Sequence, residues 1–325
     1  MRYQADPPTR RVHPKGLRIG VPRTLAFDEL RVFFDDLLAA HGFEMVVSGP
    51  SNARTLEMGL ERCIDEVCFP LKTFFGHVQS LLLDEVDTVL VPRLISLAKG
   101  RNLCPKFHLL PDLIEQSFPE INVIAPYVDL HHSKRDTMEQ HLADVCEPML
   151  VELDAWRPQS RDRIETAWSN NNSLKDEGDP PKPADVTVAV LGHLYAERDP
   201  FLGMGVARQL KKLGVSVVHS PSPMPAETCA LEEDMYYESN VHTARSVEYH
   251  LGRGVDGIVL LTYFACGPDS YGAETMLYRL RNRGMDVPVL RLILDEQTSA
   301  EGLATRLGTF VDVARHRKET GGASC

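Results

Sequence analysis

The chain has 325 residues, more than one hydrophobic core usually holds, since domains commonly take ~100 to 200 residues each, so two domains are expected. Hydrophobic residues at 43% and charged residues at 25% describe a globular protein that offsets its chain entropy by burial, which excludes wholesale disorder. A formal net charge of -11 with no long basic stripe excludes nucleic acid as a partner, and no run of ~18 apolar residues is present to span a membrane.

In chain order, Arg2 to Lys15 is rich in Arg, Lys and Pro without the apolar run of a signal peptide, and residues 1–15 read as a disordered leader of a cytoplasmic protein. Leu17 to Pro22 is a short apolar run and predicts a strand. Asp28 to His41 carries Leu30, Val32, Phe33, Leu37 and Leu38 at close to the 3.6-residue period, with Gly42 where a helix would end, and predicts a helix. Phe43 to Val47 predicts the next strand, and a second helical stretch runs from Asn52 to about Val67. Val86 to Val91 is again strand-like and leads to Cys104-Pro105.

The second half repeats this order. Val186 to Leu191 reads as a strand, Gly192 to Pro200 as a loop, the residues up to Leu213 as a helix, and Val215 to His219 as a strand. Val255 to Leu260 then leads to Cys266-Gly267-Pro268. Tyr271 to Arg283 is helical, Val287 to Leu294 an apolar strand, and Ser299 to Arg315 a final helix. Strands alternating with helices of ten or more residues predict parallel βαβ units, hence an α/β fold of two flavodoxin-like, doubly wound parallel-sheet domains. Residues 16–130 form the first domain and residues 185–316 the second. A helical bridge and Pro/Gly/Asn-rich linker (residues 131–184) lie between, and residues 317–325 form a tail.

Seven cysteines without a secretory signal are not a disulfide framework, so burial or metal binding accounts for them. Ligand crevices of open α/β sheets form at the carboxyl ends of strands, and Cys68, Cys104 and Cys266 each lie in such a segment beside a proline or a glycine-proline pair. Helix N-termini and loop N–H groups stabilise anionic sulfur, and soft thiolates select iron–sulfur clusters, zinc or copper(I). No Cys-x-x-Cys occurs, so the spacing matches neither a zinc ribbon nor a ferredoxin. Cys63 is a reserve ligand; Cys146, Cys229 and Cys325 read as core or surface thiols. Gly203-x-Gly205 lacks a full phosphate-loop fingerprint and reads as loop chemistry.

Gly20-Val21-Pro22-Arg23, Asp65 to Lys72 with Phe75-Gly76-His77-Val78, Cys104-Pro105-Lys106-Phe107, Cys266 to Ser270, and Asp295-Glu296-Gln297-Thr298 with Gly302-Leu303 and Thr305-Arg306 resemble the acyl-CoA dehydratase activase-related proteins, the DUF2229 group. That group is similar to 2-hydroxyacyl-CoA dehydratase subunits and to double-cubane-cluster proteins, and the likeness covers about residues 16–315. It implies a [4Fe-4S] cluster between two flavodoxin-like domains, held by Cys68, Cys104 and Cys266 with one iron open; a double-cubane [8Fe-9S] core is the lesser alternative. It also implies a partner, an ATP-dependent activase of the actin/sugar-kinase fold, expected here as a separate chain, and an acyl-CoA substrate, with the chain working in a homo- or heterodimer.

Lys72 and Glu296 are the candidate catalytic residues, with Lys106 and Asp269 beside the proposed ligands; surface ion pairs and caps are the bland alternative for all four. His77 is assigned to packing. The function expected is low-potential one-electron chemistry; the alternative is a non-catalytic electron-relay or assembly subunit.

Overall fold

The computed structural model describes residues 18–40, 42–134, 185–221, 224 and 229–320. Most of the expected bridge, the leader, Cys146 and Cys325 lie outside these residues.

The first half runs β1 (Arg18–Val21), α1 (Phe27–Ala40), β2 (Glu44–Val47), α2 (Ala53–Leu60), α3 (Phe69–Leu83), β3 (Thr88–Leu90), β4 (Arg93–Ser96), α4 (Pro105–Ser117), β5 (Asn122–Ile124) and β6 (Tyr127–Asp129). The second runs β7 (Thr187–Leu191), α5 (Leu194–Arg198), α6 (Val206–Lys212), β8 (Ser216–Val218), α7 (Glu238–Leu251), β9 (Gly257–Tyr263), α8 (Gly267–Asn282), β10 (Val289–Leu294) and α9 (Ala300–Glu319). The protein is thus α/β with parallel sheets, as the alternating pattern predicts.

Each half builds one four-stranded sheet, in the orders β2-β1-β3-β5 and β8-β7-β9-β10, and every pairing is parallel. Numbered within its own half, each reads 2-1-3-4, the first four positions of the flavodoxin-like order. The chain reverses its direction of travel between β1 and β3 and again between β7 and β9, and it is at such switch points that strand ends open a crevice. Fully buried β9 explains the unbroken apolar run that marks it in the sequence. β3 and β5 run on past Pro92 and Pro126 into a separate parallel pair, β4 with β6. Neither proline has an N–H to give, so the ladder is resumed by Val91 N–H to Ile124 O (2.9 Å) and Arg93 N–H to Pro126 O (2.8 Å).

Several elements depart from their sequence readings. The stretch from Asn52 to Val67 is not one helix: Asn52 caps α2 as its side chain accepts from Thr55 N–H (3.1 Å), but the N–H groups of Arg62 and Cys63 both fold back to Gly59 O and the helix closes at Leu60. The Gly192 to Pro200 loop contains the short helix α5. The segment after Cys104, to which the sequence reading assigns no element, is helical, and α8 begins at Gly267 rather than Tyr271, because proline in a first helical turn starts a helix rather than breaking one. α9 continues to Glu319, into the expected tail. No described helix is long and apolar enough to cross a membrane.

One apolar cluster runs through both halves, joining Val67, Phe69 and Phe74 to Val190, Leu202, Tyr263 and Leu294. Within the first half, α2 and α3 meet backbone to backbone. A Cβ on Gly76 would lie 1.6 Å from Thr55 O, and one on Gly59 would lie 1.8 Å from Lys72 O. No rotamer relieves a clash with a carbonyl. Gly76→Ala should therefore destabilise the protein by about 3 kcal/mol, the upper range for overpacking, read as a lower denaturant midpoint at unchanged slope.

Candidate metal centre

Cys68, Cys104 and Cys266 each occupy the residue immediately before a helix, respectively α3, α4 and α8, and proline follows within two residues each time. The first two belong to the first half and the third to the second, immediately after β9 at the switch point. Ala265 holds a left-handed φ of 60°, unfavourable for alanine, and this turn aims Cys266 back toward the first half. Lys106 Nζ fixes the turn by donating to Ala265 O (2.8 Å) and Glu66 O (3.2 Å), the latter two residues before Cys68.

Burial is the largest influence on each thiol and pushes all three up, Cys68 to about 11. The backbone N–H groups of Leu71, Lys106 and Asp269 work in the opposite sense, as the starts of helices do for anionic sulfur. The charges of Cys68 and Cys104 both act on Cys266, and that of Cys104 acts on Cys68, so the structure brings the three predicted cysteines into one neighbourhood. Among the described residues, the group of metal-ligating atoms gathered within 4.8 Å of one another is a different one, His193, Cys266 and Asp269, all buried. Two ligands of one tetrahedral ion lie roughly 3.5 Å apart, given bonds of about 2.0–2.3 Å. The triad matches that scale.

His193 is the residue sequence reasoning missed. It follows β7, stacks on Tyr195 (centroids 4.8 Å, 10°), and presents Nε2 to Asp269 Oδ1 (2.8 Å) and Cys266 Sγ (3.7 Å). Its signal was its place: it follows the strand paired with β9, as Arg23 follows β1. Asp269 is anchored by Tyr263 N–H on Oδ2 (2.9 Å).

Lys72 and Glu296 meet across the halves as an ion pair (2.5 Å), with side-chain exposures of 7% and 21%. Nearby, Phe69 packs on Phe201 and Tyr263. Cys63 is half-buried near Lys72 and Glu296, and Cys229 is a core thiol that donates to Glu248 Oε2 (2.6 Å). Gly205 lies in a left-handed turn just before α6, in keeping with a loop role. Glu296→Ala leaves the Lys72 ammonium buried without its partner. It should cost about 2 kcal/mol, discounted for the partial exposure of the carboxylate, and more than a Lys72→Met/Glu296→Met double variant costs, both read by chemical denaturation.

His77 is 1% exposed and belongs to a second link between the halves. Arg23 N–H donates to Ser48 Oγ (2.8 Å), Ser48 pairs with His77 Nδ1 (2.9 Å), His77 Nε2 with Ser51 Oγ (3.0 Å), and Ser51 donates to Asp199 Oδ2. Burial first, and the Arg23 charge second, lower His77 to about 4. The unfolded chain therefore takes up this proton first as pH falls. The contribution of His77 is complete above pH ~6.5, shrinks between there and pH 4, and is gone below, on the order of 3 kcal/mol in all. His77→Gln should flatten the pH dependence of unfolding in that window relative to the unsubstituted protein.

No curated protein matches the chain. A family match spans residues 18–222, which takes in the first sheet, Cys68, Cys104 and His193 and stops short of Cys266. That match covers more than half of the sequence, and the chain belongs to the family of the CoA enzyme activase uncharacterised domain (DUF2229).

Proposed function

We propose that the chain holds a [4Fe-4S] cluster in the cleft between its halves on Cys68, Cys104 and Cys266, for low-potential one-electron chemistry driven by a separate ATP-dependent activase. The observation that carries this reading is the meeting of three cysteines, from two halves, each at the start of a different helix. The donor set fits: soft sulfur, with backbone N–H groups favouring the charged form. The five described cysteines are all free thiols, which supports a reducing cytoplasmic setting.

A cluster bound there supplies single electrons and an iron without a protein ligand. The chain's own residues shape the rest. The apolar cluster behind Phe69 and Tyr263 excludes water, and Lys106 sets a positive charge beside Cys68 and Cys104. Lys72 and Glu296 hold a proton between Nζ and Oε1 where an acyl-CoA thioester would be turned over. The same frame serves an electron-relay or assembly subunit without its own substrate. Turnover of an acyl-CoA with activase, ATP and reductant separates the two.

A second reading, favoured by the 4.8 Å gathering of His193, Cys266 and Asp269, is a single divalent ion on that triad. Anaerobic reconstitution decides. The cluster reading expects a brown protein with about four irons and four sulfides per chain, reduced or lost on Cys→Ser change at positions 68, 104 or 266. Colourless protein without iron rejects it. One zinc per chain that survives Cys68→Ser and Cys104→Ser but not Cys266→Ser establishes the second reading instead.

A further inference from the structure

His193, Asp269 and Cys266 share one nitrogen. A carboxylate can only accept, so the 2.8 Å approach of His193 Nε2 to Asp269 Oδ1 places a hydrogen on Nε2. That N–H also faces Cys266 Sγ at 3.7 Å, within the range of hydrogen bonds to sulfur. Neither partner can easily turn away. The ring is stacked against Tyr195 and, more distantly, Tyr263 (6.2 Å), while the carboxylate is pinned through its other oxygen by Tyr263 N–H. His193 and Asp269 are each 7% exposed, so no bulk water competes for the hydrogen.

We propose that His193 is a positioning residue whose Nε2–H, oriented by Asp269, donates a hydrogen bond to the sulfur of Cys266 in the loaded protein. This rests on the cluster reading above and adds to it. A thiolate bound to iron is a stronger acceptor than a thiol, so the shared hydrogen leans toward sulfur once the cluster is in place. Drawing charge from that sulfur stabilises the reduced, more negative state and raises the reduction potential. The two cysteines of the first half have Lys106 as their nearby cation; the cysteine of the second half has an imidazole donor.

The test uses the full chain, reconstituted anaerobically, with midpoint potential and pulsed EPR as readouts. His193→Ala should shift the potential to a more negative value with iron content unchanged, and His193→Gln, whose amide keeps an N–H, should recover part of the shift. In protein labelled with 15N-histidine, the reduced cluster should show a weak nitrogen coupling that His193→Ala abolishes. A strong coupling would mean that the ring ligates iron directly and would overturn the donor role. An unchanged potential in His193→Ala, or no histidine coupling in the unsubstituted protein, would overturn it too while leaving the cluster standing. An unsubstituted protein that takes up no iron ends the cluster reading and this inference together.

Discussion

Sulfur is hard to keep charged inside a protein, and the cleft between the two halves is organised around that difficulty. Burial raises Cys68, Cys104 and Cys266 together, the Asp269 charge adds to the effect at all three, and neighbouring cysteines add to it at Cys68 and Cys266. What works against it is backbone: three helices of 13 to 16 residues start at these cysteines, and the N–H groups of a first turn have no partner of their own. A helix start is worth up to ~2 kcal/mol to a partly buried anion, which does not match the desolvation cost of three thiolates. Left to themselves the three groups therefore stay protonated, and a bound metal would deprotonate a coordinating thiol outright.

The duplicated 2-1-3-4 wiring explains why this happens between the halves. The starts of α3 and α4 meet the end of β9 and the segment after β7: Phe69 packs on Tyr263 and Phe201, and Lys106 Nζ donates to Ala265 O. Contacts of several kinds then close the seam: the Lys72 to Glu296 and Arg101 to Glu232 ion pairs, the bond from Lys106 Nζ to Ala265 O, the Phe69 ring among Phe201 and Tyr263, the serine-histidine chain ending on Asp199, and the backbone bonds of Asn102 N–H to Tyr236 O and Glu238 N–H to Asn102 O. None is large alone. They differ in chemistry, and no single change of pH or salt undoes them all.

The central strands β1, β3, β7 and β9 were legible because they are buried almost throughout and stand out as apolar runs, such as Gly257–Tyr263, punctuated by glycine and proline. The repeat was legible for the same reason. At α8 the helix was read from Tyr271 although Gly267-Pro268 already forms its first turn, and β4, β5 and β6 were missed because strands of three or four residues, with Arg93, Ser96, Asn122 and Asp129 among them, carry little apolar signature. The three cysteines could be picked out by the prolines that follow them; the expected place after a strand holds for Cys104 and Cys266, whereas Cys68 follows helix α2 and its closing turn. His193 could not, since a lone histidine in a loop gains meaning only when β7 is known to pair with β9. Lys72 and Glu296 stood out separately, but their contact is a fact of how the halves close.

The division of the sulfurs, two on one half and one on the other, makes any core that joins them a staple as well as a redox group. Such a crosslink exists only in the folded protein, so its binding energy adds to the hold between halves that the seam contacts otherwise maintain alone. Oxygen damage to such a core would then be felt mechanically, as a weaker hold between the two halves on top of the apolar cluster they share.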